Sequence, residues 1–186
     1  MPISKDRCKQ EATSVTIEDR QNALLSMREQ HHRTRPVCGD SNPKGLRAAF
    51  PVRPDGAVEA EIICGKDKEG YDGYLHGGII ASLLDGAMTN CLFSHGIPAV
   101  TGELIVRMVH PLQAGTKMVV CAWLERRLSP LYLMKAELRQ GGGVAAKGKG
   151  KFMRMAEKAQ WGTRRDSQRM RMRTDECAVV EPEKTL

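Results

Sequence analysis

Residues 76–88, His-Gly-Gly-Ile-Ile-Ala-Ser-Leu-Leu-Asp-Gly-Ala-Met, constrain this chain more than any other stretch. A glycine pair opens a run whose apolar residues recur every four positions, at Ile79, Leu83, Ala87 and Cys91 and again at Ile80, Leu84, Met88 and Leu92. That period is helical and predicts a helix over residues 77–93. Asp85 is the only formally charged residue between Gly77 and Phe93. A surface helix carries a polar face, so this one is expected to be buried on most sides. A carboxylate there is costly unless it is paired, hydrogen-bonded or put to use. From spacing alone, Asp85 reads equally as a satisfied core residue and as a functional one.

After Pro98 the period changes from helical to two. Residues 100–109 alternate Leu104, Val106 and Met108 with Glu103 and Arg107, and residues 116–126 put Met118, Val120, Ala122 and Leu124 on one face. Residues 131–139 and 144–153 follow, the latter alternating Lys147, Lys149 and Lys151 with Gly148, Gly150 and Phe152. The connections Ser129-Pro130 and Gln140-Gly141-Gly142-Gly143 are short and rich in turn formers. Before the helix, residues 46–52 and 57–64 read as two more strands around Pro54-Asp55-Gly56, and 65–75 as a loop. Strands in direct succession point to an antiparallel sheet. The predicted class is α+β, a long antiparallel sheet wrapped round one central apolar helix. Aromatic residues make up only 4 % of the chain, so aliphatic side chains and methionine must fill its core.

Three segments are expected. Residues 1–40 form a polar extension with one helix, opened by the capping-box sequence Thr16-Ile17-Glu18-Asp19 and given a partial apolar side by Ile17, Leu24, Leu25 and Met27. Residues 41–155 form the folded domain, and 156–186 a basic tail. In that tail Lys158, Arg164, Arg165, Arg169, Arg171 and Arg173 face Asp166 alone. Such ends usually stay solvated, and apart from Trp161 the tail lacks the stacking aromatics of a nucleic-acid surface. Cys8, Cys38, Cys64, Cys91, Cys121 and Cys177 include no C-x-x-C pair, which argues for reduced structural thiols and against zinc. No apolar run approaches the ~20 residues of a membrane span, and Met1–Arg7 has no signal-peptide core. A cytoplasmic protein without a membrane partner is the expectation. The net charge of +7 favours anionic partners.

The start of a helix offers free backbone N–H groups and a partial positive charge. Gly77 and Gly78 let a reacting group approach those amides with no Cβ in the way. Such an arrangement can polarise a carbonyl and hold an oxyanion. Asp85 lies about 12 Å further along the axis at 1.5 Å per residue. One subunit cannot easily bring both to one carbonyl, whereas two helices meeting across an interface can.

The segment Leu75-His76-Gly77-Gly78-Ile79-Ile80-Ala81-Ser82-Leu83-Leu84-Asp85 resembles the helix motif of the hotdog-fold acyl-CoA thioesterases, in their phenylacetate-pathway (PaaI-type) group. The likeness spans roughly residues 45–153. It implies a hotdog fold, hydrolysis of an acyl-CoA substrate to free acid and CoA, no cofactor or metal, and a homodimer or dimer of dimers. Asp85 matches the catalytic carboxylate, as general base or nucleophile. Gly77 matches the residue whose N–H binds the thioester oxygen, and Thr101 a hydroxyl that positions water. His76 and Gly78 flank the substrate at the helix mouth, His76 chiefly holding the loop. Arg107, Lys149 and Lys151 are the cations offered for coenzyme A phosphates, with Lys147 and His110 nearby; a lysine row also serves as a solvated strand face.

The chain departs from that pattern in three places. Gly70 stands where many relatives have Asn or Gln, Gly86 where the subgroup often has Glu, and Arg35 where a C-x-x-C-G segment has its first Cys. A non-catalytic acyl-CoA-binding hotdog module is therefore the alternative. A hotdog enoyl-CoA hydratase is the weaker rival: Gly39-Asp40-Ser41-Asn42-Pro43 resembles its signature, but Gly45 occupies the position of the required His.

Overall fold

The lysine alternation near the C-terminal end of the core resolves into two sheet faces in the computed structural model, which describes residues 15–155. On β7 (Gly143–Arg154) Lys147, Lys149 and Lys151 are exposed, and Gly148, Gly150 and Phe152 are buried. A Cβ on Gly148 would sit 3.3 Å from Leu84 Cβ, so the buried face of this strand lies directly on the apolar helix. That helix, α2, spans Gly77–Ser94. It packs against the sheet formed by β1 (Val58–Ile63), β4 (Ala99–Met108), β5 (Lys117–Leu128), β6 (Leu131–Gln140) and β7. The strand order is β1-β5-β6-β7-β4 and every pairing is antiparallel. This is the α+β arrangement expected of the sequence. Among the described residues no helix is long and apolar enough to cross a membrane.

Three polar side chains of the buried half of the helix donate to its own backbone, while Asn90 Oδ1 is buried with no partner among the described residues. Thr89 Oγ1 donates to Asp85 O at 2.9 Å, Asn90 Nδ2 to Gly86 O at 2.7 Å and Ser94 Oγ to Cys91 O at 2.7 Å. Bonds of this kind let small polar residues sit inside a helix whose surroundings are apolar. Its end is closed by Ile97 N–H donating to Leu92 O at 3.0 Å and Gly96 N–H to Phe93 O at 2.9 Å, the two bonds of a Schellman stop. Cys38, Cys64, Cys91 and Cys121 are buried free thiols; Cys8 and Cys177, like the basic tail, lie outside the described residues.

Two expectations before the helix are corrected. Residues 46–52 do not form a strand: only Val52 makes an isolated bridge, to Val58. Pro51 and Pro54 carry no N–H for a ladder, and the Val52 N–H donates instead to Gln21 Oε1 at 2.8 Å. Residues 65–75 are more ordered than a loop, with a 3₁₀ turn at Lys66–Lys68 followed by β2 (Glu69–Tyr71) and β3 (Tyr74–Leu75) as a small hairpin.

The N-terminal helix α1 (Ile17–His31) opens on the expected capping box, with Thr16 Oγ1 accepting from Asp19 N–H at 3.1 Å and Thr16 N–H donating to Asp19 Oδ2 at 3.0 Å. Its apolar side is narrower than the sequence suggests: Leu24 is fully buried, while Ile17 and Leu25 are exposed. Polar contacts complete the docking. Arg28 is buried and pairs with Asp40 at 2.9 Å. Arg20 Nη1 donates to His95 Nδ1 at 2.6 Å, which fixes that imidazole as neutral with its proton on Nε2. His32 stacks obliquely on Phe93, ring centroids 4.5 Å apart.

These two histidines make α1 docking sensitive to acid. Burial, then Arg35, His31 and Arg28, pushes His32 down to about 3. Burial, then Arg20 and Arg127, pushes His95 down to about 4. The unfolded chain takes up these protons near 6.5 and the folded chain only far below it. Stability is therefore complete above about pH 7.5 and declines as pH falls below about 6.5 toward the folded values. Denaturant midpoints measured between about pH 8 and about pH 5, above the range where carboxylates titrate, should fall with acid. The fall should flatten in His32→Leu/His95→Gln; an unchanged pH slope in that variant would contradict the assignment.

Candidate active site

The mouth of α2 is built by its own N-cap. His76 Nδ1 accepts the Gly78 N–H at 2.9 Å, and His76 O accepts the Ile79 and Ile80 N–H groups at 3.0 and 3.2 Å. Among the described residues no acceptor takes the Gly77 N–H, which leaves it as the free donor of the first turn. Gly77 is exposed, and the nearest heavy atom to a Cβ placed on it is Met108 Cε at 3.7 Å. His76 is thus engaged as a cap, held from behind by its own N–H donating to Lys68 O at 2.9 Å. The Gly78 amide is consumed by the cap and has none left for a substrate oxygen.

Asp85 is half-buried two turns on, facing the edge strand β4. Thr101 Oγ1 donates to its Oδ1 at 2.6 Å. A hydroxyl on a carboxylate at this distance is a charge-assisted bond, and it leaves Oδ2 without a donor among the described residues. The carboxylate opens on a cavity of about 340 Å³ bounded by Ala81, Ser82 and Leu104 on one side and Arg35, Pro36 and Val37 on the other. Gly77 lines a different hollow of about 560 Å³, with Tyr71, Tyr74, Ile80, Met108 and His110 around it. The chain therefore holds the free amide and the carboxylate in separate depressions at opposite ends of β4.

Of the basic residues named from the sequence, His110 lines the Gly77 hollow, while Arg107, Lys147, Lys149 and Lys151 line neither depression. Lys149 and Lys151 project from the outer face of the sheet, and Arg107 pairs in register with Lys147 on that same face. Lys151 is bonded to Glu103 at 3.0 Å and Lys147 lies 3.7 Å from Glu137. This row lies on the face of the sheet opposite α2, by strand alternation.

The departures at positions 70 and 86 acquire physical causes. A Cβ on Gly70 would lie 3.1 Å from both Cα and Cδ2 of His76, so the cap occupies the space a larger side chain would need. A Cβ on Gly86 would lie 2.7 Å from Val37 Cγ1 and 3.1 Å from Val37 Cβ. Segment 35–38 is packed against the helix at that point and walls the Asp85 cavity. Sequence reasoning did not place Val37 there. The available signal was glycine at position 86, inside a helix, where it costs about 1 kcal/mol relative to alanine.

Gly86→Ala should consequently lower stability despite its better helix propensity. Overpacking costs about 1–3 kcal/mol, against about 1 kcal/mol gained. Combined with Val37→Ala, the substitution should cost less than the two single losses added together. Strict additivity in a denaturation cycle would contradict the close contact.

Residues 72–147 match the family model described as thioesterase superfamily. No curated protein matches the sequence. Among solved structures, the chain is similar to Escherichia coli PaaI, from the phenylacetic acid degradation operon, at 18 % identity and a TM-score of 0.63, covering 75 % of this chain and 95 % of that one. It is similar to a phenylacetic acid degradation-related protein of Ralstonia eutropha at 22 % identity and a TM-score of 0.59, covering 71 % and 99 %. A Streptococcus mutans protein bound to acetyl-CoA aligns at 17 % identity and a TM-score of 0.55, covering 59 % and 89 %. The antiparallel sheet laid on one long helix is the hotdog fold of this group.

Proposed function

We propose that this chain, whose residues 72–147 carry the thioesterase superfamily match, hydrolyses an acyl-CoA thioester at sites shared between two protomers. The single observation that carries this reading is the separation along one edge strand of an unengaged amide, at Gly77, from a hydroxyl-held carboxylate, at Asp85. Acyl-CoA as the substrate draws support from the acetyl-CoA bound to the similar Streptococcus mutans protein.

The edge strand supplies the geometry. β4 pairs with β7 on one side and with no described strand on the other, and its Val100, Ile105 and Met108 are exposed. A long apolar edge is a template for another strand. A second β4 added antiparallel about a two-fold axis at Ile105 keeps facing residues on one side of the pleat. It pairs Gly102 with the partner's Met108 and, across the register shift between Thr101 and Glu103, brings Thr101 alongside. Thr101 marks the level of Asp85, and Met108 that of Gly77. The pairing therefore sets the carboxylate of each protomer beside the free amide of the other, twice over, as two-fold symmetry requires.

In that shared site the Gly77 N–H and the positive end of α2 hold the thioester oxygen as it becomes an oxyanion. Thr101 holds one oxygen of Asp85, and the other takes a proton from water as the water oxygen bonds to the carbonyl carbon. Collapse expels the CoA thiolate, which recovers the proton. If Asp85 instead attacks as a nucleophile, water later cleaves an acyl-aspartyl anhydride. Single turnover in H₂¹⁸O, followed by mass analysis of the Asp85 peptide, separates the two routes. The hydrolase reading itself is tested by thiol release from a panel of acyl-CoA thioesters, with and without EDTA; release is expected and should be indifferent to EDTA.

A non-catalytic acyl-CoA-binding module is the second reading. Gly70, which offers no side-chain amide beside the helix mouth, favours it. Tight acyl-CoA binding with no thiol release from any member of the panel would establish it.

A further inference from the structure

We propose that Arg35 selects acyl groups that end in a carboxylate, so that the substrate is a coenzyme A monothioester of a medium-length dicarboxylic acid. This rests on reading the cavity beside Asp85 as the acyl compartment of the thioesterase site.

The walls of that cavity are mostly apolar, with Pro36, Val37, Ala81 and Leu104 among them, and its two charged lining residues are Asp85 and Arg35. Asp85 has a partner in Thr101. Arg35 is half-buried, and among the described residues no carboxylate lies in ion-pair range of it and no acceptor takes its guanidinium protons. Other arginines of the domain are ion-paired. Arg28 is bonded to Asp40 at 2.9 Å, and Arg53 to Asp55 and Glu59 at 3.2 and 2.9 Å. The turn that carries Arg35 is fixed, its N–H donating to His32 O at 3.3 Å and its carbonyl accepting from Gly39 N–H at 3.0 Å. A held backbone therefore keeps Arg35, with no carboxylate in ion-pair range among the described residues, at the wall of a mostly apolar pocket.

Burying a charge without a partner is unfavourable, and the planar guanidinium fork matches a carboxylate with two parallel bonds. Asp85 repels any second carboxylate close to it, which excludes an anion near the reacting carbonyl. The anion must stand at the far end of the chain, with methylenes between, and the apolar walls suit those methylenes. A cavity of about 340 Å³ has room for a six-carbon chain.

Adipoyl-CoA and hexanoyl-CoA have the same chain length and differ at the distal end, carboxylate against methyl. Calorimetric titration of both into the full-length Asp85→Asn protein reads binding without turnover, and thiol release by the unaltered protein reads hydrolysis. Adipoyl-CoA is expected to bind at least about tenfold more tightly than hexanoyl-CoA. Adding Arg35→Met should reduce that ratio by about 10–100-fold, the range of a hydrogen bond to a charged group. Arg35→Lys, which keeps the charge and loses the fork, should retain part of it. Each ratio is internal to one protein sample, so a general loss of folded material cancels.

A ratio near one with Arg35 present, a ratio unchanged by Arg35→Met, or failure of both ligands to bind would overturn the proposal. If adipoyl-CoA binds preferentially through Arg35 and neither thioester is cleaved by the unaltered protein, the specificity stands and the hydrolase reading falls. If hexanoyl-CoA is cleaved as well as adipoyl-CoA, the hydrolase reading stands and the role of Arg35 falls.

Discussion

Asp85→Asn is expected to lower thioester turnover by about 10²–10⁴-fold, the range supplied by proton transfer from a positioned group. The substitution is nearly isosteric, and the introduced amide oxygen can still accept from Thr101 Oγ1, so the helix and the edge strand keep their contact. What disappears is the anionic oxygen that has no other donor among the described residues. The loss should fall on kcat, because the carboxylate acts in the chemical step, as base or as nucleophile, and not in holding the bound thioester. Thr101→Ala should cost less, since the hydroxyl positions the carboxylate and carries none of the reacting charge. A purified Asp85→Asn protein with turnover near that of the unaltered chain would remove Asp85 from the mechanism.

The helix and the four strands after it were legible because each has a clear period. Along α2 an apolar residue falls on every face that meets the sheet, and along β6 and β7 burial alternates almost residue by residue. The stretch 46–52 misleads because its apolar content suits a strand, yet Pro51 removes a ladder donor and a side chain from α1 takes the Val52 N–H. That contact joins residues thirty-one apart and leaves no local trace in the sequence.

The candidate site divides in the same way. Asp85, Thr101 and Gly77 stand out by residue type and spacing, and the structure brings the first two together while holding the third apart. The wall opposite Asp85 was not readable. Arg35, Pro36 and Val37 reach it through the close approach of a segment to Gly86, a tertiary contact announced only by a glycine inside a helix. The lysine row was legible only in part. Lys147, Lys149 and Lys151 share a face by strand periodicity, but periodicity does not say which face meets the helix; the buried Gly148 and Gly150 decide that.

Gly77→Pro should abolish turnover as thoroughly as Asp85→Asn, because proline has no N–H to offer the thioester oxygen. Proline is tolerated at the first position of a helix, so α2 should still form. The two defects lie in different halves of the shared site, and this gives the most direct measurement of whether that site exists. Asp85→Asn and Gly77→Pro proteins, each inactive alone, are mixed in equal amounts under conditions that exchange subunits. A heterodimer then has one site with both defects and one with neither. With random exchange, about a quarter of all sites are intact, and thiol release should recover to about that fraction of the unaltered activity. No recovery from a verified heterodimer, or full activity from a protein that light scattering shows to be a monomer, would contradict the shared site.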